Sequence, residues 1–168
     1  MIIAIYGLCC VGKSTVANLL GGLLGCPVRH CGELVKAQAR LRGVSPQQLS
    51  IKDHQEIDEQ TRRIPAPATT SVIVEGLFLD NVFAQESKVI MVELTCASDE
   101  RQKRFAQRSA GSDTDLVMRD KSDVKLLSAL HTPESPRLQP TLTVDTSNIS
   151  ALHVAEVIAK WIGERQGR

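Results

Sequence analysis

The octapeptide Gly7-Leu8-Cys9-Cys10-Val11-Gly12-Lys13-Ser14 constrains the rest of the chain more than any other segment. It has the spacing GxxxxGKS, with the apolar, β-branched run Ile2 to Tyr6 directly before it and the periodic run Lys13 to Leu24 after it. The first run reads as a strand buried on both faces of a parallel sheet. The second places Val16, Leu19, Leu20, Leu23 and Leu24 on one stripe and stops at Gly25, so it reads as an amphipathic helix with a glycine end. Glycines at 7 and 12 let the backbone curl until successive N–H groups point inward, and the helix adds its positive N-terminal end, so the loop is complementary to phosphate. The expected ligand is a nucleoside triphosphate, ATP with Mg²⁺. Gly7, Cys9, Cys10, Val11, Gly12, Lys13, Ser14 and Thr15 are expected to line it, with Lys13 reaching the β and γ phosphates as a catalytic group and Ser14 binding the metal.

Beyond that helix, Cys26 to His30 reads as a brief second strand. Gly32 to Leu41 and Ser45 to about Ile64 read as helices, the latter opened by Ser45-Pro46, until Pro65-Ala66-Pro67 breaks the pattern. Ser71 to Glu75, Lys88 to Leu94 and Thr141 to Asp145 are further strand-like runs. Asp99 to Ser109, Asp113 to about Leu130 and Ser150 to about Arg165 are helical, and the last sets Leu152, Ala155, Ile158 and Ile162 toward a core, with Trp161 beside them. Five strands alternating with helices predict a three-layer α/β domain. Its sheet is parallel and five-stranded, its crossovers are right-handed, and ligands bind at the carboxyl ends of the strands. At 168 residues the chain fits one domain, 1–168.

Composition narrows the function classes. With 20 Lys plus Arg against 19 Asp plus Glu, no basic surplus exists to hold a nucleic acid or an anionic membrane. Aromatic residues at 3% are too few for base-stacking platforms. The five cysteines include no CxxC pair, which suits a reducing compartment and predicts a cytoplasmic protein. No apolar stretch approaches the ~18 residues of a membrane span, and the opening run is too short for a signal segment. His30 with Cys26 and Cys31 lacks a second half at ligand spacing, so no structural zinc is expected. A monomer acting on a small molecule is the expected form.

The remaining candidates are charged. Glu75 ends the third strand, where a carboxylate either holds a water of the Mg²⁺ shell or faces solvent. Arg101, Arg104 and Arg108 fall on one helical face; only Arg104 has an acidic partner at helical spacing, Glu100. An anion among them, such as a transferring phosphoryl group, would relieve their repulsion, with Arg119 and Lys125 approaching from the next helix. The alternative is a solvated basic face with Arg119 paired to Asp123. No NKxD motif occurs, which argues against a guanine-nucleotide switch.

Taken in order, the GKST loop, Gly32-Glu33-Leu34-Val35-Lys36, Glu56-Ile57-Asp58 with Arg62-Arg63, Val74-Glu75-Gly76, the three spaced arginines, Arg119-Asp120 with Asp123, and Val144-Asp145-Thr146-Ser147 resemble the cytidylate-kinase-like nucleoside monophosphate kinases. The resemblance implies ATP-dependent phosphoryl transfer to a nucleoside monophosphate, CMP or dCMP. It implies an acceptor-binding helical insert over 30–67, with Lys36, Arg40, Arg62, Arg63 and Gly76 as acceptor contacts. It also implies a closing arginine lid over 109–131, Arg101, Arg108 and Arg119 as catalytic groups, and nucleotide contacts at Arg104 and Thr146. For the segment around Thr146, a plain turn before the last helix remains the alternative.

Three positions depart from the family pattern. Leu77 stands where an arginine grips the acceptor phosphate, Lys36 replaces an arginine fork with a point charge, and Lys125 replaces a lid arginine. Either Arg62 or Arg63 takes over the lost contact, or the acceptor is another small molecule: a nucleoside, a sugar or a polar metabolite. A low-turnover ATP-binding regulatory module is the third reading. Lys36 and Arg40, one turn apart, would otherwise form an exposed basic face.

Overall fold

The computed structural model describes residues 1–64, 71–108, 115–132 and 134–166. Five parallel strands form one sheet in the order β2-β3-β1-β4-β5: β1 (Ile2–Tyr6), β2 (Val28–His30), β3 (Val72–Glu75), β4 (Val89–Thr95) and β5 (Leu142–Asp145). Ala4 pairs in register with Val74 on one side and Met91 on the other, so β1 lies at the centre, with its carboxyl end opening into the glycine loop. This is the expected α/β architecture. The helices are α1 (Lys13–Leu24), α2 (Cys31–Arg42), α3 (Ile51–Arg62), α4 (Leu79–Val82), α5 (Ser98–Arg108), α6 (Leu116–Leu130) and α7 (Ala151–Gln166).

The two faces of the sheet bury different clusters. On one, Ile3, Ile5, Ile73, Val92 and Leu94 pack against α1 and α7; on the other, Ala4, Tyr6, Val74 and Met91 pack against Leu79, Val82 and Phe83. Apolar residues therefore run through the inner strands β1 and β3 without alternation up to Glu75, as a doubly covered parallel sheet requires, while the edge strands β2 and β5 alternate with polar residues.

Several expectations need correction. In α1 the buried stripe is Val16, Ala17, Leu20 and Gly21, while Leu23 is exposed. A side chain at Gly21 would meet Val28 Cγ2 at 2.5 Å, so the helix seats its smallest residues against the sheet. In α7 it is Val154, with Ala155, Ile158 and Ile162, that enters the core, whereas Leu152 faces outward. Ser45-Pro46 opens only a 3-10 turn over Pro46–Gln48. The cap of α3 is Ser50, whose hydroxyl accepts from Asp53 N while Asp53 Oδ2 accepts from Ser50 N, a reciprocal pair that satisfies two otherwise orphaned donors. The short α4 had no periodic signal. The break at Pro65 to Pro67, the first part of the expected lid (109–114) and Pro133 fall outside the described residues.

Candidate active site

Gly7, with φ 140°, lets the loop pass so close to β4 that a Cβ there would stand 2.2 Å from the Leu94 carbonyl oxygen. Gly12, with φ 94°, precedes α1 and is the second forced glycine. Lys13 Nζ donates to the carbonyls of Gly7 (2.9 Å) and Leu8 (2.8 Å), folding back over the loop that it follows. Burial pulls the Lys13 ammonium below its ordinary value, and the charges of Glu75 and Asp123 oppose that pull. An anion arriving in the loop would answer the same desolvation.

Ser14 Oγ donates to Glu75 Oε1 at 3.1 Å. Glu75 closes β3, is buried, and also lies 3.0 Å from His30 Nδ1, while His30 Nε2 is 3.1 Å from Asn18 Oδ1. A hydroxyl and a carboxylate at this separation are oxygen donors of the kind a hard divalent cation takes. The link to His30 and Asn18 was not legible in the sequence, because it joins three separate elements, α1, β2 and β3, and follows no motif.

A second set of contacts ties α5 to the loop. Arg101 is buried; its Nε donates to the Cys9 carbonyl (2.8 Å) and its guanidinium to Asp120 Oδ1 on α6 (2.6 Å). Arg104 donates to Glu100 (3.1 Å), to Thr146 Oγ1 (3.1 Å) and to the Thr146 carbonyl (2.7 Å). The Thr146 hydroxyl in turn lies 2.9 Å from the Val11 carbonyl. Thr146 thus bonds to the loop directly, and Arg104 is held against it through Thr146. A cleft of about 340 Å³ opens there between Gly12, Thr15, Arg104, Thr146 and Ser150. Arg108 is exposed at the end of α5, near enough for its charge to act on Cys10.

Arg119 pairs with Asp123 at 3.2 Å within α6, the self-contained alternative raised by the sequence. That pair still borders the loop. Asp123 is buried, its carboxyl is pushed up by burial against the opposing charges of Arg119 and Lys13, and Lys13 responds to it in turn. Lys125 lines a shallow groove on α6 with Asp120 and Lys121.

Of the four cations expected to meet an acceptor, Arg62 and Arg63 are engaged within the protein. Arg62 donates to the Val82 carbonyl (3.1 Å) and to Glu59 (2.7 Å), and Arg63 donates to Glu59 (2.7 Å). Lys36 and Arg40 are exposed on α2. Gly76 is buried, and a Cβ there would meet Cys31 Sγ at 3.1 Å. The insert is held together by residues the sequence did not single out: Gln38 and Arg42 on α2 both bond to Asp53 and Glu56 on α3. Nearby, His131 Nε2 stands 3.8 Å from Asp58 Oδ2, too far for a hydrogen bond, and the buried amide of Asn81 has no partner on either atom.

A central strand opening into this glycine loop, with the helices arranged as described, is the P-loop kinase fold. The sequence matches the family described as AAA domain over residues 3–125, and the chain belongs to that family. A shikimate kinase from Acinetobacter baumannii in complex with shikimate shares the fold with a TM-score of 0.64 at 14% identity, over 99% of this chain and 95% of that one. A gluconokinase from Sinorhizobium meliloti superposes with a TM-score of 0.61 at 17% identity, over 97% and 95% of the two chains. An uncharacterized protein from Eubacterium ventriosum reaches 0.69 at 17% identity, over 97% and 98%. Comparison with curated proteins finds no match. Among the described residues no helix is long and apolar enough to cross a membrane.

Proposed function

We propose that the protein is an ATP- and Mg²⁺-dependent kinase whose acceptor is a small hydroxyl-bearing metabolite. The observation that carries the acceptor assignment is the engagement of Arg62 and Arg63 by Glu59, beside a Leu77 that cannot donate to a phosphate. A pocket built for a monophosphate would hold a guanidinium ready there. Among the described residues, the buried side-chain groups left without partners close to α3 and α4 are instead the Asn81 amide and His131 Nε2, whose chemistry suits hydroxyls. The fold shared with a gluconokinase and a shikimate kinase agrees with this acceptor class.

MgATP, when bound, supplies the transferable phosphoryl group. Lys13 is the residue placed to leave its loop carbonyls for the phosphates, Ser14 and Glu75 are placed to hold the cation directly or through its water, and the loop N–H groups position the chain of phosphates. Thr146 and Arg104 border the cleft in which the rest of the nucleotide fits. Arg119 and Arg108 are the cations available to close over the transferring group, and α6 is the described part of the lid. Proximity and electrostatics account for the reaction class, and a strong general base is unnecessary. The protein acts as a monomer in this reading.

CMP or dCMP is the second reading, favoured by the exposed Lys36 and Arg40 on α2. ADP release measured over CMP, dCMP, nucleosides, sugars, sugar acids and shikimate separates the two. The expected result is turnover with an unphosphorylated acceptor at least tenfold above CMP, the scale of one misplaced charged contact. A clear preference for CMP overturns the acceptor assignment. A rate independent of every small acceptor overturns the kinase and leaves an ATP-binding module.

A further inference from the structure

The adjacent thiols of the phosphate loop have no role in that chemistry, yet Cys9 Sγ and Cys10 Sγ lie only 3.6 Å apart. Both are free and partly exposed. Cys10 has φ 64°, a left-handed conformation that no other described non-glycine residue adopts, so the loop is already held in an uncommon geometry at the second thiol. The Cys9 carbonyl is fixed by Arg101 Nε at 2.8 Å, and Arg101 also holds Asp120 on α6. We propose that Cys9 and Cys10 form a vicinal dithiol site that a disulfide oxidant such as oxidised glutathione closes to an intraloop disulfide, and that closure removes the phosphate cradle until a reductant reopens it. The first part stands on the geometry alone; the second rests on the loop being a nucleotide site.

The chemistry balances in two exchanges. The Cys9 thiolate attacks one sulfur of oxidised glutathione, forming the mixed disulfide and expelling one glutathione thiolate, which takes up a proton. Cys10 then attacks Cys9 Sγ, forming the Cys9–Cys10 bond, expelling the second glutathione and losing its own proton to it. Two protein thiols are oxidised and one glutathione disulfide is reduced. Burial, and after it the neighbouring Cys9, push the Cys10 thiol up to about 11, which assigns the first attack to Cys9. Once Cys9 is a neutral mixed disulfide its own contribution to that rise is gone. The charges of Arg108 and Arg101 then favour the Cys10 thiolate.

Adjacent Cα atoms are roughly 3.8 Å apart across a trans peptide. Most disulfides span about 4.4–6.8 Å between Cα atoms. Bridging neighbours therefore strains the peptide between them, and in this loop that peptide carries the Cys9 carbonyl held by Arg101. Cys26 and Cys31 are engaged differently, with the Leu24 carbonyl (3.5 Å) and with Thr61 (3.7 Å).

The test treats the full chain with oxidised glutathione and, separately, with dithiothreitol. Intact mass should fall by about 2 Da with no glutathione retained. Peptide mapping should place the link between Cys9 and Cys10. A fluorescent ATP analogue carrying a methylanthraniloyl group should bind the bridged protein more weakly by on the order of tenfold or more. Dithiothreitol should restore both mass and binding. Cys9→Ser, compared with itself before and after oxidant, should show neither the 2 Da fall nor the loss of analogue binding, whereas Cys10→Ser should stop at the mixed disulfide and keep one glutathione on Cys9. A missing Cys9–Cys10 link, a persistent glutathione adduct on the unsubstituted chain, or a bridged protein that binds the analogue as tightly as the reduced one overturns the proposal. A reduced protein that ignores the analogue overturns the kinase reading and the cradle half of this one, while the mass still decides the dithiol half.

Discussion

Ser14 Oγ and Glu75 Oε1 are joined by a 3.1 Å hydrogen bond that links the first turn of α1 to the carboxyl end of β3. Glu75→Gln keeps an oxygen for that bond but removes the charge a divalent cation needs. The Mg²⁺ concentration giving half-maximal ADP release should rise about 10- to 100-fold, the range for losing a group that supports a metal site. A titration of ADP release against Mg²⁺ reads this directly, and an unchanged midpoint places the metal elsewhere.

Lys13→Ala should retain the fold and lose phosphoryl transfer by about two to three orders of magnitude, the scale of one preorganised charge donor. Its ammonium bonds to two loop carbonyls, and the buried Glu75 and Asp123 keep partners of their own in Ser14, His30 and Arg119 once it is removed. Circular dichroism together with single-turnover transfer measures both halves. Near-normal transfer in a folded variant sinks the assignment.

Arg119 and Arg101 should separate by their readouts. Arg119→Ala is expected to lower kcat by roughly 10³-fold with little change in ATP affinity, and Arg119→Lys to recover part of the loss. Arg101→Ala instead breaks a clamp between the Cys9 carbonyl and Asp120, so it should cost about 2–3 kcal/mol in urea unfolding, since one partner remains partly solvated. If Arg119→Ala leaves kcat within a few-fold, its pair with Asp123 is a surface feature and α6 is no lid.

Burial raises the Asp58 carboxyl to about 6, opposed by the nearby Arg62 charge. An unfolded Asp titrates near about 3.9, so between these values the folded protein keeps a proton that the unfolded chain has released. The stability contributed by this group is complete below about pH 4 and is lost as pH rises through about 6. Asp58→Asn should therefore match the parent near pH 4 and exceed it above pH 6 by on the order of 1–2 kcal/mol. Calorimetric unfolding from pH 4 to pH 7 checks this, and a parent–variant gap that is constant across the range contradicts it.

The strand, loop and first helix were legible because their signals are local: an apolar run, two glycines at fixed spacing and a helical stripe. The sheet and its alternation with helices followed for the same reason. What escaped was decided between elements. His30 reaches Glu75, and Asn18 reaches His30, only once β2 and α1 lie beside β3, and the partners of Arg101 are a backbone oxygen and an acid on the following helix. The four residues of α4 are too few to show a period. The choice of Val154 over Leu152 as a core residue turns on the angle at which α7 meets the sheet, which periodicity alone leaves open.

The bare position at Gly21 lets α1 settle so low on the sheet that Val28 of the edge strand β2 and the Cys26 carbonyl occupy the space a side chain would need. Helix α1 begins at the phosphate loop and β2 runs into α2, the first helix of the proposed acceptor side. In the proposed reaction its two halves are therefore braced through one strut. A larger residue at position 21 would lift the strut, and it would misalign donor and acceptor together without touching either.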